Sequence, residues 1–461
     1  MAPAVSTTVK PTSDPLWHGE DVTISDVLDA LSQVRAKFAR DEAGDDELVH
    51  PRNCVMTLIS VSPTEAHEQV AQRTTQMIGA QHPVQAIVIR EEAPLRGHRF
   101  DAWITAEVQR PEMCCASECE IVTLHVRGAA ADHLAGLIDP LLVSGVPTYL
   151  WWLGTPPFGK RELLDALRVV DGLVVDSAGF DEPFKSFHRM AGLLKVAHHR
   201  LGLADLQWSR LRPWRETLAQ FFTPLDRRPF LSGISEVGVD YAGEARGNRI
   251  AAALMTGWMA GALGWKLKRA TAGGGGVVVA HYEAGNRSVE VHFRSVQNDD
   301  LAAGELSAVR MAGASGGATF RVSVQHDPER KRIAPEPSYR TLHPSGGEDD
   351  AGIELAERRA EWHRDVLHEN IGSLHHTATG DAPGESRPRH PVVLTSERRK
   401  PDSGRVLLTI IEIGEGAPLR HVQQLDPEDE ATLLLDLLAT GTHDEVYNRS
   451  LAAASALMEK L

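Results

Sequence analysis

Between residues 53 and 176, apolar β-rich runs alternate with stretches of helical spacing, and this alternation restricts the fold more than any other feature of the 461-residue chain. The clearest unit opens on the apolar run Asn53–Val61 and continues through Ser62-Pro63-Thr64-Glu65. That tetrapeptide supplies a capping residue, a proline suited to a first helical turn and a glutamate able to reach back, in the order a helix start requires. The helix runs to about Ala80, and Pro83–Arg90 is the next strand. A helical crossover of this length joins parallel strands. Further strands are expected at Asp101–Gln109, Glu120–Arg127, Pro147–Leu153 and Gly172–Asp176, with helices near Asp132–Leu142 and Lys160–Val169. The resulting expectation is an α/β fold whose N-terminal domain has a mostly parallel sheet flanked by helices.

The flanks divide the rest of the chain. Residues 1–20 read as a disordered leader, and 21–180 as the α/β domain. Thr23 caps the first helix, with Asp26 three residues on and Ile24, Val27, Leu28, Leu31, Val34 and Phe38 at helical spacing. Glu182–Leu203 reads as one long helix and Gly247–Trp265 as an apolar one. Strand candidates then follow at Trp265–Arg269, Val277–Glu283, Ser288–Ser295, Glu305–Met311 and Ala318–Val324. Strands in series after helices predict an α+β C-terminal domain over 181–325. Proline, glycine and charge dominate 326–404, read as a mobile linker region with one charged helix near Ile353–Ile371. Residues 405–461 read as a strand and two helices packing on the body, the last helix opened by Thr442 and Glu445.

Composition removes several function classes. Sixty-three acidic residues against 48 basic ones give a formal charge of -15, which opposes binding to a phosphate backbone. The most apolar stretch, Ile250–Leu263, is too short for a hydrocarbon core of about 30 Å and is interrupted by Gly257 and Gly261. No nucleic-acid or membrane partner is therefore expected. Four cysteines, Cys54, Cys114, Cys115 and Cys119, are too few for a disulfide scaffold and suit a cytoplasmic setting. They form no Cys-x-x-Cys, and no His-Glu-x-x-His occurs. Gly273–Gly276 precedes a strand without a phosphate-binding lysine and reads as a turn. Gly313-Ala314-Ser315-Gly316-Gly317 matches the Gly-x-Ser-x-Gly pattern, but strands flank it on both sides, which predicts a hairpin and not a nucleophile elbow. No catalytic residue, cofactor or metal site is expected.

What stands out is tryptophan beside arginine. Asp205–Glu216 holds Trp208, Arg210, Arg212, Trp214 and Arg215, and Trp151 and Trp152 close a predicted strand. Tryptophan and arginine anchor protein interfaces more than other residues do. The same pattern also serves as filling for a seam between domains, with the arginines reaching outward.

The strand Pro147-Thr148-Tyr149-Leu150-Trp151-Trp152, the Trp208–Arg215 block, the helix Ala251–Trp258 closing on Leu263-Gly264-Trp265, and the ending Asp444–Leu451 together resemble the OpcA family. These are the glucose-6-phosphate dehydrogenase assembly proteins. The resemblance runs over roughly 20–325 and more loosely over 405–461. It implies a non-catalytic activator that binds glucose-6-phosphate dehydrogenase and promotes its active oligomer in the oxidative pentose phosphate pathway. The seven residues Trp151, Trp152, Trp208, Arg210, Arg212, Trp214 and Arg215 are the expected partner-binding set. Two other readings stay open: a sugar-phosphate or nucleotide-sugar enzyme on an α/β fold, and a redox sensor using Cys114, Cys115 and Cys119.

Overall fold

The apolar runs become strands that are buried on both sides, as expected when helices cover both faces of a parallel sheet. The computed structural model describes residues 15–43, 54–92, 100–109, 117–128, 133–196, 200–243, 247–273, 277–327, 405–425 and 429–460. The first half supplies β1 (Trp17–Val22), α1 (Ile24–Ala43), β2 (Met56–Ser62), α2 (Glu65–Gly79), β3 (Val84–Glu92), β4 (Phe100–Gln109), β5 (Ser117–Arg127), α3 (Leu134–Ile138), β6 (Thr148–Trp152), α4 (Arg161–Ala166), β7 (Gly172–Val175), α5 (Pro183–Val196) and β8 (Gly202–Asp205). Their order in the first sheet is β1-β4-β5-β3-β2-β6-β7-β8. The five pairings from β5 to β8 are parallel; β1 and β4 add an antiparallel edge. Thr64 caps α2 by accepting from the His67 amide, and Asp26 accepts from the Thr23 amide at 2.8 Å.

The second half supplies α6 (Leu206–Arg210), α7 (Arg212–Phe221), β9 (Ile234–Ala242), α8 (Ile250–Leu263), β10 (Lys266–Ala272), β11 (Val278–Ala284), β12 (Arg287–Val296), β13 (Leu306–Ser315), β14 (Ala318–His326), β15 (Arg405–Ile413), β16 (Leu419–Leu425), α9 (Glu430–Thr440) and α10 (Glu445–Met458). The second sheet runs β10-β11-β12-β9-β13-β14-β15-β16 and is antiparallel except at β9–β12. The α/β expectation, with a mostly parallel first sheet and an α+β second part, is the architecture found. Gly316 and Gly317, at φ +59° and +81°, form the two-residue turn of the β13–β14 hairpin. The serine pattern there is a hairpin tip.

Three local readings differ from the structure. Trp17–Glu20, expected within the leader, pairs with β4, because a six-residue edge strand is too short for a clear period. Of the long helix expected over Glu182–Leu203, α5 describes Pro183–Val196, and Gly202 and Leu203 lie instead in β8, a fourth parallel neighbour beyond β2, β6 and β7. β9, a central strand of the second sheet, and β16 were not anticipated. Residues 328–404, with the helix expected at 353–371, lie outside the described residues, as do Cys114 and Cys115. Among the described residues no helix is long and apolar enough to cross a membrane, which says nothing of strands.

The cores show what holds the body together. Leu58, Ala86, Val88, Trp151, Val174 and Ala204 form one face of the first sheet and pack against α2 and against Leu433, Leu434, Leu437 and Leu438 of α9. The opposite face, with Ile59, Val61, Leu150 and Trp152, belongs to a continuous core that includes α5, α8, α10 and the inner face of the second sheet. Within it α8 and α10 touch backbone to backbone: a Cβ added at Gly257 would lie 2.2 Å from the Ser450 carbonyl oxygen. Gly257→Ala is therefore expected to destabilise by roughly 3 kcal/mol through overpacking. Gly261→Ala, one turn on, meets Arg449 only at 3.6 Å and is expected to stabilise by up to about 1 kcal/mol through helix propensity. Urea denaturation of both variants checks this pair; equal effects would refute the close approach.

Candidate functional site

In an open parallel sheet, ligands and functional side chains gather at the carboxyl ends of strands where the strand order reverses. Here the reversal lies between β2 and β6, since the chain proceeds from β2 to β3 on one side and from β6 to β7 and β8 on the other. The first turn after β2 presents Pro63 and Thr64, and Thr64 Oγ1 lies 2.9 Å from His67 Nδ1. Side chains thus occupy the place where a glycine-rich turn would let a phosphate approach the backbone.

The densest constellation sits at the ends of β7 and β8. Asp205, fully buried, ends β8 and caps α6. Its Oδ1 accepts from the amides of Ser177 and Gln207, both at 3.0 Å. Its Oδ2 accepts from Ser177 Oγ at 2.6 Å and from the Tyr447 hydroxyl at 3.3 Å. Burial, and then the nearby Asp176, push the carboxyl up to about 6, while the Ser177 and Gln207 hydrogen bonds pull the other way. Burial and Asp205 also raise Tyr447, so its hydroxyl stays a donor. Asp176 is forked by Arg210, with both bonds at 2.7 Å. Glu430, at the start of α9, is raised by burial and by Asp176 and lowered by Arg210.

The tryptophan–arginine block is engaged within the chain. Trp208 is buried and donates from Nε1 to Asp444 Oδ2 at 2.9 Å. Asp444 also caps α10 through the amides of Val446 and Tyr447. The Arg215 guanidinium lies 3.2 Å over the Trp208 ring, a cation–π stack, and donates to the Trp208 carbonyl at 3.3 Å. Burial chiefly, and Arg212 in addition, push Arg215 down to about 10, against the pull of Asp444. Arg212 pairs with Asp436 of α9 at 3.1 Å and stays half exposed. Trp214 is buried and meets the ring of His326 edge-on. Thr217 donates to Gln423 of β16 at 2.9 Å. The block therefore acts as a latch on the C-terminal segment. A cavity of about 440 Å³ lies in this latch, lined by Asp205, Trp208, Arg212, Arg215, His443 and Arg449 among others.

Trp151 and Trp152 are not brought to the latch surface. Both are buried, on opposite faces of β6, in the two separate cores. All four indoles are buried, and Arg212 is the block member with the most outward reach. Sequence reasoning missed a second charged array. Glu68 of α2 receives Arg90 at 3.0 Å and meets His125 Nε2 at 2.7 Å, all three nearly sealed from solvent. Arg90 and Arg127 both pair with Glu92, and Arg127 reaches Asp101. The signal available was a polar residue inside an apolar, buried strand, Arg90 in β3 and His125 in β5, whereas Glu68 is one of many polar residues in α2. Cys119 is buried in β5, while Cys54 is half-buried.

Two family models match the sequence. One describes the N-terminal domain of a glucose-6-phosphate dehydrogenase subunit and covers residues 75–192. The other describes the C-terminal domain of the same kind of subunit and covers 201–451. A protein named OxPP cycle protein OpcA from Nostoc punctiforme is 30% identical over 244 residues, 52% of this chain and 48% of that protein. Its namesakes from Synechocystis and Synechococcus elongatus are 33% and 30% identical over 147 and 213 residues, covering 32% and 45% of this chain and 30% and 46% of theirs. The chain spans about half the length, or less, of the curated relatives it matches. Among solved structures, a protein from Parabacteroides merdae described as an oxidoreductase aligns over 88% of this chain and 98% of its own, at 8% identity and a TM-score of 0.40. A dehydrogenase from Thermus thermophilus aligns over 58% and 80%, at 12% identity and a TM-score of 0.30.

The raised Asp205 fixes a sign for pH dependence. The folded carboxyl keeps its proton to about pH 6, whereas the unfolded one releases it near the ordinary value of 3.8. Its contribution to stability is thus full below about pH 4 and lost as pH rises through about 6, a swing of about 3 kcal/mol. Asp205→Asn is expected to gain about that much on wild type between pH 4 and 7, read from urea midpoints across the range; a constant difference would refute it. Arg210→Ala strands Asp176 beside Asp205 and Glu430 and is expected to cost about 3 kcal/mol at neutral pH, measured in the same way.

Proposed function

The chain belongs to the OpcA family of glucose-6-phosphate dehydrogenase subunits, whose C-terminal domain alone matches more than half of it, and from this we propose that it binds glucose-6-phosphate dehydrogenase and promotes its active oligomer. The role would place it in the oxidative pentose phosphate pathway, the process named in its cyanobacterial relatives. The matches to two domains of a dehydrogenase subunit, in sequence order along the chain, carry this reading. The geometry adds support. Asp205, buried and receiving hydrogen bonds from Ser177, Gln207 and Tyr447, is turned to holding α10 in place, which suits a structural part in a binding protein.

Within this reading the latch has a supporting part. Trp208, bonded to Asp444 and stacked under Arg215, holds the start of α10, and Arg212, half exposed on its pair with Asp436 of α9, is the member able to meet a partner without loss of packing. Surface pairs of this kind contribute about 0–1 kcal/mol to folding.

The test is a titration of glucose-6-phosphate dehydrogenase with the purified chain, followed by NADP reduction and by the size of the complex. Activity and assembly are expected to rise with added chain, and the chain alone is expected to reduce no NADP from glucose 6-phosphate. Turnover of any sugar phosphate by the chain alone would favour the enzyme reading instead. Arg212→Glu is expected to melt within a few degrees of wild type yet activate poorly at limiting chain; normal activation would exclude the outer edge of the latch as a contact.

A further inference from the structure

The second sheet buries one face. Val237, Val291, Met311 and Val322 point into the shared core, and the residues between them point outward. Most outward positions are half-buried or exposed, while Asp240, Ala308 and Val406 toward one end are buried, and a depression of about 510 Å³ opens over the centre, at Gly238, His292, Arg310 and Ser323. Asp240, buried at the edge of this centre, is held by Arg294 at 2.9 Å and by Arg310 at 2.6 Å, so the middle of the face carries charge that is already paired.

The arrangement about the middle is self-complementary. The seam between β9 and β13 divides the sheet into four strands on each side. Cross-strand register puts His281, Glu290, Glu236, Ala312, Arg321 and Glu412 in one row across it. A two-fold axis along the seam would set a second sheet face to face with the first and exchange β12 with β14 and β11 with β15, at the same height. Glu290 of one copy would then face Arg321 of the other, and His281 would face Glu412. In the next row Val279 would face Ile410, His292 would face Ser323, and Arg310 would enter the space above Gly238. Glu290, which meets His292 at 2.7 Å, and Arg321, which meets Glu412 at 3.6 Å, are still 42% and 67% exposed, so each can also face a second copy. Size also suffices. Eight strands about 4.8 Å apart, with mostly 7 to 10 residues each, offer about 1,000 Å² per copy, against about 800 Å² per partner in a standard interface.

We propose that the outer face of the second sheet is the interface of a homodimer, formed with a second copy of this chain about a two-fold axis along the β9–β13 seam, with Glu290 and Arg321 as reciprocal ion pairs. This goes beyond the proposed role and needs no dehydrogenase, so the two fail separately. The experiment is sedimentation equilibrium of the full chain alone, with circular dichroism as a check on folding. Wild type is expected to be dimeric. Arg321→Glu and Glu290→Arg, both at exposed positions, are each expected to weaken self-association about tenfold or more, because each places like charges opposite one another. The double variant exchanges the two charges and is expected to restore the dimer. A monomeric wild type overturns the proposal, and capture of that monomer by the dehydrogenase in an Arg321-dependent way would assign the face to the dehydrogenase. Folded single variants that remain dimeric, or a folded double variant that stays monomeric, overturn it equally.

Discussion

The apolar face of β6, β7 and β8 finds no cover among the residues that build those strands, and this unmet burial governs the rest of the molecule. Trp151, Val174 and Ala204 are closed over by Leu433, Leu434, Leu437 and Leu438, which arrive more than 200 residues after β8. The cover of this face is therefore completed only by α9. Closing so long a loop costs little more than closing a shorter one, since the entropy grows only as the logarithm of length. The same closure slows folding, because the contacts that reward it come last. The latch residues follow from this constraint. Asp205, Trp208 and Arg212 each reach a residue of α9 or α10 or the turn between them, and α10 then wedges between α5 and α8, where Gly257 lets the backbones meet.

Local chemistry made part of this visible in the sequence. The β2–α2–β3 unit was legible because Ser62-Pro63-Thr64-Glu65 writes its own helix start, and Thr64 does cap α2. Thr23 and Asp26 were legible for the same reason. β8 was not: four residues with no alternation, joined directly to a helix, read as the continuation of the helical spacing before them. β9 escaped because Ser235, Glu236 and Gly238 break its apolar run, although pairing on both sides makes it central. The tryptophan–arginine block was conspicuous by composition, but its partners were not. Asp176 lies 34 residues from Arg210, Asp436 lies 224 from Arg212 and Asp444 lies 236 from Trp208. A sequence shows which side chains need partners long before it shows where they are.

Asp205 illustrates how such a latch specifies as well as binds. At neutral pH its carboxylate is ionised at a cost, because burial outweighs the donors gathered around it. A packed apolar side chain would avoid that cost but would accept many orientations of the C-terminal helices. The carboxylate accepts few, since Ser177, Gln207 and Tyr447 must all converge on two oxygens. Polar groups retained in a core for the sake of one arrangement are known from other folds, at the same expense in stability.

The two sheets end with different freedoms, and the difference bears on where association can occur. The central strands of the first sheet are buried on both faces, so its conspicuous tryptophans are committed to the interior and can influence a partner only through the shape they hold. The second sheet keeps one face for solvent, and that face is not apolar: it sets Glu236, Glu290 and Glu412 against Arg294, Arg310 and Arg321 on neighbouring strands. For a chain of formal charge -15 such a mixture matters. Long-range repulsion between copies is screened within about 8 Å at physiological ionic strength, whereas pairs brought into contact across a sheet face are shielded from that screening. A surface that alternates in sign over the spacing of one or two strands therefore resists approach in any register but the one that matches acid to base. A face of this kind selects its partner by register as well as by charge.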